Sequence, residues 1–306
     1  MDILEVGESS STLFAGTRNA AITLLAVTAC CVIARFVDSF TRGGKRLNVD
    51  DILSLLALIL LACYSALNYV LANDLQHPDY SKLTSGYFAQ QSTILTFVAG
   101  FAMYFSKAPI LVLYVRLFGI KTWLRVVSYS TLALSFVVFL TTMSIAGATC
   151  SQSAEVDPNF LDTCLKTTVA VGVANGATAV VTDIIIIILP LPIIAGLTLP
   201  FHKKIGLAVV FSTGIFAIAA SAISLYFKSI SLAGHSTAFA VTLVCTIFEC
   251  CLAIMVGCAP ALRACWAKIE RNNALYAKAR SRLAHFRSFR STENGKPEDQ
   301  DYTQLP

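Results

Sequence analysis

Charge is scarce in this chain. Of its 306 residues only 13% are Asp, Glu, Lys or Arg, where soluble domains average about 25%. With 56% hydrophobic residues, there is too little polar side chain to coat a water-soluble globule. The basic n-region of a cleavable leader is lacking as well: residues 1–17 carry Asp2, Glu5 and Glu8 ahead of the first apolar run, so that run is expected to be retained as a true first span. His77, His202 and His235 show no metal-ligand spacing, and no metal site is expected. Nor is there an internal repeat of the kind from which many transporters are built.

What is present is seven apolar runs, at about 20–37, 52–72, 90–115, 126–148, 168–194, 205–227 and 237–259. A hydrocarbon core roughly 30 Å thick takes about 20 residues to cross as a helix, and backbone inside it must satisfy its own hydrogen bonds. The expected fold is all-α: a seven-transmembrane helix bundle embedded in a lipid bilayer, with a short basic, partly amphipathic cytosolic tail. Residues 1–19 form an extracellular segment, 20–260 the membrane domain and 261–306 the tail.

Basic residues fall on one side. Arg35, Arg42, Lys45, Arg46, Arg116, Lys121, Arg125, Lys203 and Lys204 share a side with the basic residues between Arg263 and Lys296. The other side holds only Arg18, Lys82, Lys166 and Lys228. Cytoplasmic loops keep Lys and Arg, so the N-terminus is expected outside and the C-terminus in the cytosol. The net charge of +5 is this topology signal and not a nucleic-acid footprint.

Seven of the ten cysteines (Cys30, Cys31, Cys63, Cys245, Cys250, Cys251 and Cys258) lie in apolar runs as small fillers. Cys150 and Cys164 flank the fourth loop, on the side assigned to the exterior, where an oxidising compartment favours a disulfide over two free thiols. Cys265 lies among basic residues as a palmitoylation candidate. In the tail, Leu262, Trp266, Ile269, Tyr276, Leu283 and Phe286 recur at helical spacing. This suits either an interfacial helix on anionic lipid or a solvated basic helix. Beyond Ser291 the polar composition predicts disorder.

Three ionisable residues stand deep in the runs: Lys107, Asp183 and Glu249. Each costs at least about 2.5 kcal/mol in lipid when isolated, so each should face inward and find a partner. Counted from the span ends they reach similar depths near mid-membrane, and one network is expected. It reads as a structural ion pair with the second carboxylate held by Asn175, Thr182, Thr242 or Thr246, as a ligand or proton site, or as an acid–base pair with split roles. Pro190 and Pro192 should bend or loosen span five near its inner end, and Gly172 and Gly176 offer a face for close helix contact. Asp50 and Asp51 open span two as helix caps or as a contact for a cytosolic partner.

At these residues the chain resembles the fungal rhodopsin-domain integral membrane proteins. That seven-helix family is related to receptor-like surface-sensing proteins and is also encoded in secondary-metabolite gene clusters. The resemblance runs from about Ala20 to Trp266. It rests on Val49-Asp-Asp51, Ser106-Lys-Ala-Pro-Ile-Leu-Val-Leu-Tyr-Val-Arg-Leu-Phe118, the Cys150 and Cys164 pair, Thr182-Asp183 with Leu189-Pro-Leu-Pro192, Lys203-Lys-Ile-Gly-Leu207, and Glu249 with Pro260. The chain departs from the family in three places: Val49 stands where Trp is usual, Ser224 lies near a frequent Arg, and no Trp separates the loop cysteines. Without that Arg, fewer cations are expected for Asp183 and Glu249.

A retinal Schiff base needs a lysine in the last span, which residues 237–259 lack, so no cofactor is expected. Three functions remain: a receptor or sensor for a proton or a lipophilic small molecule, with a cytosolic signalling partner; an intramembrane enzyme such as a cyclase; or a transporter.

Overall fold

Backbone amides in hydrocarbon find no water, so each apolar run has to close its hydrogen bonds internally, and each does so as a helix. The computed structural model describes residues 2–43, 48–76, 85–118, 121–150, 158–192, 201–233, 241–259 and 262, with side chains over most of these. Seven helices follow in order: α1 (Asp2–Gly43), α2 (Val49–Gln76), α3 (Ser85–Phe118), α4 (Thr122–Cys150), α5 (Pro158–Ile188), α6 (Phe201–Leu232) and α7 (Val241–Ala259). There is no strand among the described residues. All seven contain a stretch long and apolar enough to cross a membrane, and the chain is a multi-pass membrane protein. It divides into the units Met1–Leu262 and Arg263–Pro306. The tail helix and Cys265 lie outside the described residues, as do His77, His235 and the side chain of His202.

Two boundaries differ from the sequence expectation. Helix α5 ends at Ile188, with a turn at Leu189 and Pro190, because proline offers no amide to continue the ladder. Helix α6 continues beyond Phe227 to Leu232 and carries Lys228 with it.

Each helix packs on its sequence neighbour from α1 to α6, and α3 also packs on α5. Helix α7 meets α3 where Gly257 lies against Ile110 and joins the main core through Ile247, Cys250, Cys251 and Ile254. The buried face of α4 is Leu124, Ser128, Thr131, Ser135, Phe139, Met143 and Ala146, spaced three or four apart. Its opposite side exposes Val126, Leu134 and Val137. Polar and small residues inside with apolar residues outside is the arrangement suited to a lipid solvent, where helix association relies on close packing. Several buried hydroxyls bond back one turn, as Thr131 Oγ1 does to the Val127 carbonyl at 2.8 Å, although Ser128 Oγ on the same face has no partner among the described residues.

The Gly172 and Gly176 face does two different things. Added to Gly176, a Cβ would sit 3.1 Å from Lys228 Cδ and 3.3 Å from Leu225, so this glycine allows α5 and α6 to approach. At Gly172 nothing lies within 4 Å, so the close-contact expectation does not extend to it; it borders open space.

Cys150 and Cys164 are joined in a disulfide, with 5.1 Å between their Cα atoms. The bond ties the end of α4 to the first turns of α5. In the non-reduced protein these two thiols should resist alkylation, whereas mass spectrometry after reduction should find both labelled. Replacing both with serine should lower stability by about 2–3 kcal/mol for a loop of this length, read as a lower melting temperature in detergent.

Candidate functional site

An ammonium group in the middle of a bundle has to be neutralised there, and the side chain of Lys107 is 5% exposed. It lies on α3 two residues before Pro109, whose missing amide leaves the Phe105 carbonyl without its usual helical partner. Lys107 Nζ sits 2.6 Å from Asp183 Oδ2 on α5 and 3.3 Å from Glu249 Oε1 on α7. It also donates to the Ala179 carbonyl at 3.1 Å, one turn before Asp183. Ser221 on α6 donates to Asp183 Oδ2. The structure therefore brings Lys107, Asp183 and Glu249 together.

A fourth charge joins them. Lys228, grouped by the sequence reading with the residues of the outer side, is buried on α6 with Nζ 3.9 Å from Glu249 Oε2. The apolar pattern resumes beyond Lys228 with Ile230 and Leu232, so the helix carries this lysine within the bundle and not at its end. Lys228 stands one turn beyond Ser224, and it supplies a cation where the sequence reading expects few for Asp183 and Glu249. Ser224 is itself buried, with its Oγ unbonded. Helices α3, α5, α6 and α7 thus each contribute one charge, and the formal sum is zero.

The bonds within the cluster are unequal. Asp183 is held by an ion pair and a hydroxyl, but both Glu249 oxygens lack a hydrogen bond; the lysines reach them as charges without hydrogen-bond alignment. Among the described residues, the ammonium of Lys228 meets that carboxylate and Met103 Sδ, each at 3.9 Å, beyond hydrogen-bond length to oxygen or nitrogen.

The expected polar neighbours do other work. Thr182 donates to the Thr178 carbonyl at 2.8 Å and Thr246 to the Thr242 carbonyl at 3.0 Å. Asn175 accepts from Thr142 at 2.7 Å. None of the three donates to Asp183 or Glu249, since a helical threonine finds its own carbonyl one turn back more readily than a group across the bundle.

Toward the disulfide end the cluster borders a partly open cavity of ≈ 80 Å³, lined among others by Lys228, Gly172, Asn175, Thr246, Met103 and Tyr64. Of the four charged residues only Lys228 lines it.

A second charged group closes the opposite end. Arg35 of α1 is buried, with Nη2 2.6 Å from Asp50 and Nε 2.9 Å from Asp51, while Nη1 donates to the Gly257 carbonyl of α7 at 2.5 Å. Arg116 of α3 reaches Asp50 at 3.2 Å from a half-exposed position. Asp51 accepts also from Ser39 at 2.6 Å and Asn48 at 3.2 Å. The expectation of capping aspartates gives way to this network. Asn48 holds the cap position, its carbonyl accepting from the Asp51 amide at 3.0 Å. The carboxylates turn to Arg35 because a buried guanidinium requires anions more than a helix start does.

The sequence model of the fungal rhodopsin domain matches residues 34–268, well over half of the 306 residues, and the chain belongs to that family. The matched region takes in both charged groups and the disulfide. Comparison with curated proteins gave no match, and comparison with solved structures gave none.

Lys107→Met should destabilise by about 3–5 kcal/mol, because it strands Asp183 in the bundle. Combined with Asp183→Asn the loss should be smaller than with Lys107→Met alone. Thermal melts of the purified variants measure this, and strict additivity would rule out the coupling. At the opposite end Arg35→Met should cost a similar 3–5 kcal/mol, whereas Arg116→Met, half in solvent, should cost about 1 kcal/mol or less.

Proposed function

We propose that this family member is a membrane sensor in which a small molecule or a proton acts on the Lys107, Asp183, Lys228 and Glu249 cluster and shifts the helices around it. One observation carries the reading: four helices each place an ionisable side chain at one depth, and one of those side chains borders a cavity. Intramembrane ionisable residues mark ligand or proton sites by default. A ligand moves a bundle only as far as it binds two arrangements unequally, and loosely held groups such as Lys228 and Glu249 can change partners at small cost.

The readout lies at the other end. Helix α3 carries both Lys107 and Arg116, and α7 carries both Glu249 and the Gly257 carbonyl that Arg35 holds. A shift of either helix at the cluster therefore loads the Arg35 network. We place that end in the cytosol, facing a signalling partner, and the disulfide end outside, from the excess of Lys and Arg at the former. No cofactor enters the proposal. The enzyme reading is the weaker one, because a general acid has to face its substrate and neither Asp183 nor Glu249 lines the cavity.

Deleting the gene in its native host should abolish a transcriptional response to a surface or chemical cue and leave the metabolite profile intact. Loss of one product with accumulation of its precursor would overturn the sensor in favour of the enzyme. For orientation, a tag after Pro306 should be shielded from protease added to intact cells and digested after permeabilisation. Digestion without permeabilisation would reverse the assignment, with plasma-membrane delivery of the tagged chain checked by microscopy.

A further inference from the structure

We infer that the cavity beside Lys228 is a binding site for a small neutral molecule that presents a carbonyl oxygen to Lys228 and a hydroxyl to the threonines above it. This deepens the sensor reading and rests on it for its biological meaning. The physical case comes from the hydrogen-bonding state of the lining.

Lys228 is 4% exposed, and its ammonium has three donors with no oxygen or nitrogen at hydrogen-bond distance among the described residues. Nearby hydroxyls are in the opposite condition. Thr96 has already donated to the Ser92 carbonyl at 2.8 Å, Thr168 to the Leu165 carbonyl at 2.9 Å and Thr246 to the Thr242 carbonyl at 3.0 Å. Thr168 Oγ1 also accepts from Ser92 at 3.4 Å, so what these oxygens still offer the cavity is their remaining acceptor lone pairs, most fully at Thr96. The site thus has an unfilled donor at its charged end and unfilled acceptors along its wall, so its occupant needs an acceptor at one end and a donor at the other.

Charge selects a neutral occupant. Two ammonium groups and two carboxylates cancel, so an anion would leave an unbalanced charge in the bundle, a short distance from Glu249. Size selects a small one. At ≈ 80 Å³ the cavity is smaller than the engineered cavity of about 150 Å³ that accepts benzene. Leu95, Ala99 and Val169 complete the wall and suit the carbon skeleton. A small hydroxyketone or hydroxyaldehyde meets all of these requirements.

The test uses the full chain in nanodiscs and two probes with equal numbers of non-hydrogen atoms, hydroxyacetone and propionate. Saturation-transfer NMR with titration should show saturable hydroxyacetone binding on the order of millimolar, as expected for so few atoms, with propionate at least about tenfold weaker. Gly172→Leu fills the cavity without changing charge. An added Cβ there meets no atom within 4 Å, and leucine is the better helix former, so this variant should fold and lose the binding. Lys228→Met combined with Glu249→Gln keeps the charge sum and should weaken hydroxyacetone about tenfold or more, the effect of removing a charged hydrogen bond.

Equal binding by Gly172→Leu would overturn the location, and equal binding by the Lys228→Met, Glu249→Gln pair would overturn the role of the ammonium. Propionate binding as well as hydroxyacetone would overturn neutrality. No saturable binding of hydroxyacetone by the wild-type chain would overturn the inference as a whole. Loss of a biosynthetic product on gene deletion would instead overturn the sensor while leaving the binding result standing, so the two failures are distinguishable.

Discussion

A lysine in the middle of a hydrocarbon-embedded bundle is the constraint on which the arrangement of α3, α5, α6 and α7 depends. Lys107 cannot reach water, so it has to meet carboxylates, and Asp183 and Glu249 have to arrive at its depth from two other helices. Those contacts set the relative height of three helices more sharply than apolar packing does, because a helix sliding by one turn, about 5.4 Å, would break both ion pairs. Arg35 applies the same constraint at the other end, joining α1, α2 and α7 through Asp50, Asp51 and the Gly257 carbonyl. Buried ion pairs add little net stability against apolar replacements. Their contribution here is to specify register among helices that otherwise slide on apolar surfaces.

The spans were legible because bilayer thickness imposes a length, and the disulfide because Cys150 and Cys164 flank one short loop between two spans. Lys107, Asp183 and Glu249 were legible from the cost of charge in lipid. Lys228 and Arg35 were not, since each lies close to a span end, where a basic residue ordinarily reports topology. Nothing in a linear count separates a lysine that reaches the interface from one that bends into the bundle. Asp50 and Asp51 were misread for a related reason: an acidic pair opening a helix suits a cap, and only the packing of α1 beside α2 supplies the guanidinium that claims them. Thr182 and Thr246 are polar residues on the same helices as the carboxylates, and sequence position does not say whether a hydroxyl bonds across the bundle or back to its own helix.

The two charged groups differ in how completely they are satisfied. Around Arg35 every nitrogen of the guanidinium has an acceptor, so the network is a stable reference whose one half-exposed member, Arg116, can leave at little cost. In the central cluster Lys107 and Asp183 are fully engaged, while Glu249 lacks hydrogen bonds and Lys228 is held only by charge and a sulfur. Unfilled capacity is concentrated on the two groups that face each other between α6 and α7.

What α6 offers to Glu249 gives this asymmetry a physical origin: Ser224 is buried there, and the cation, Lys228, stands one turn further on. An arginine at that point would bring a planar fork of five donors to Glu249 and could satisfy it bidentately. Lys228, one turn along α6, approaches Glu249 at 3.9 Å with a single point charge. Placed there, Lys228 balances the charge of the cluster from the wall of the cavity. Neutrality of the cluster is thus preserved, while Lys228, with no oxygen or nitrogen at hydrogen-bond distance among the described residues, borders the cavity.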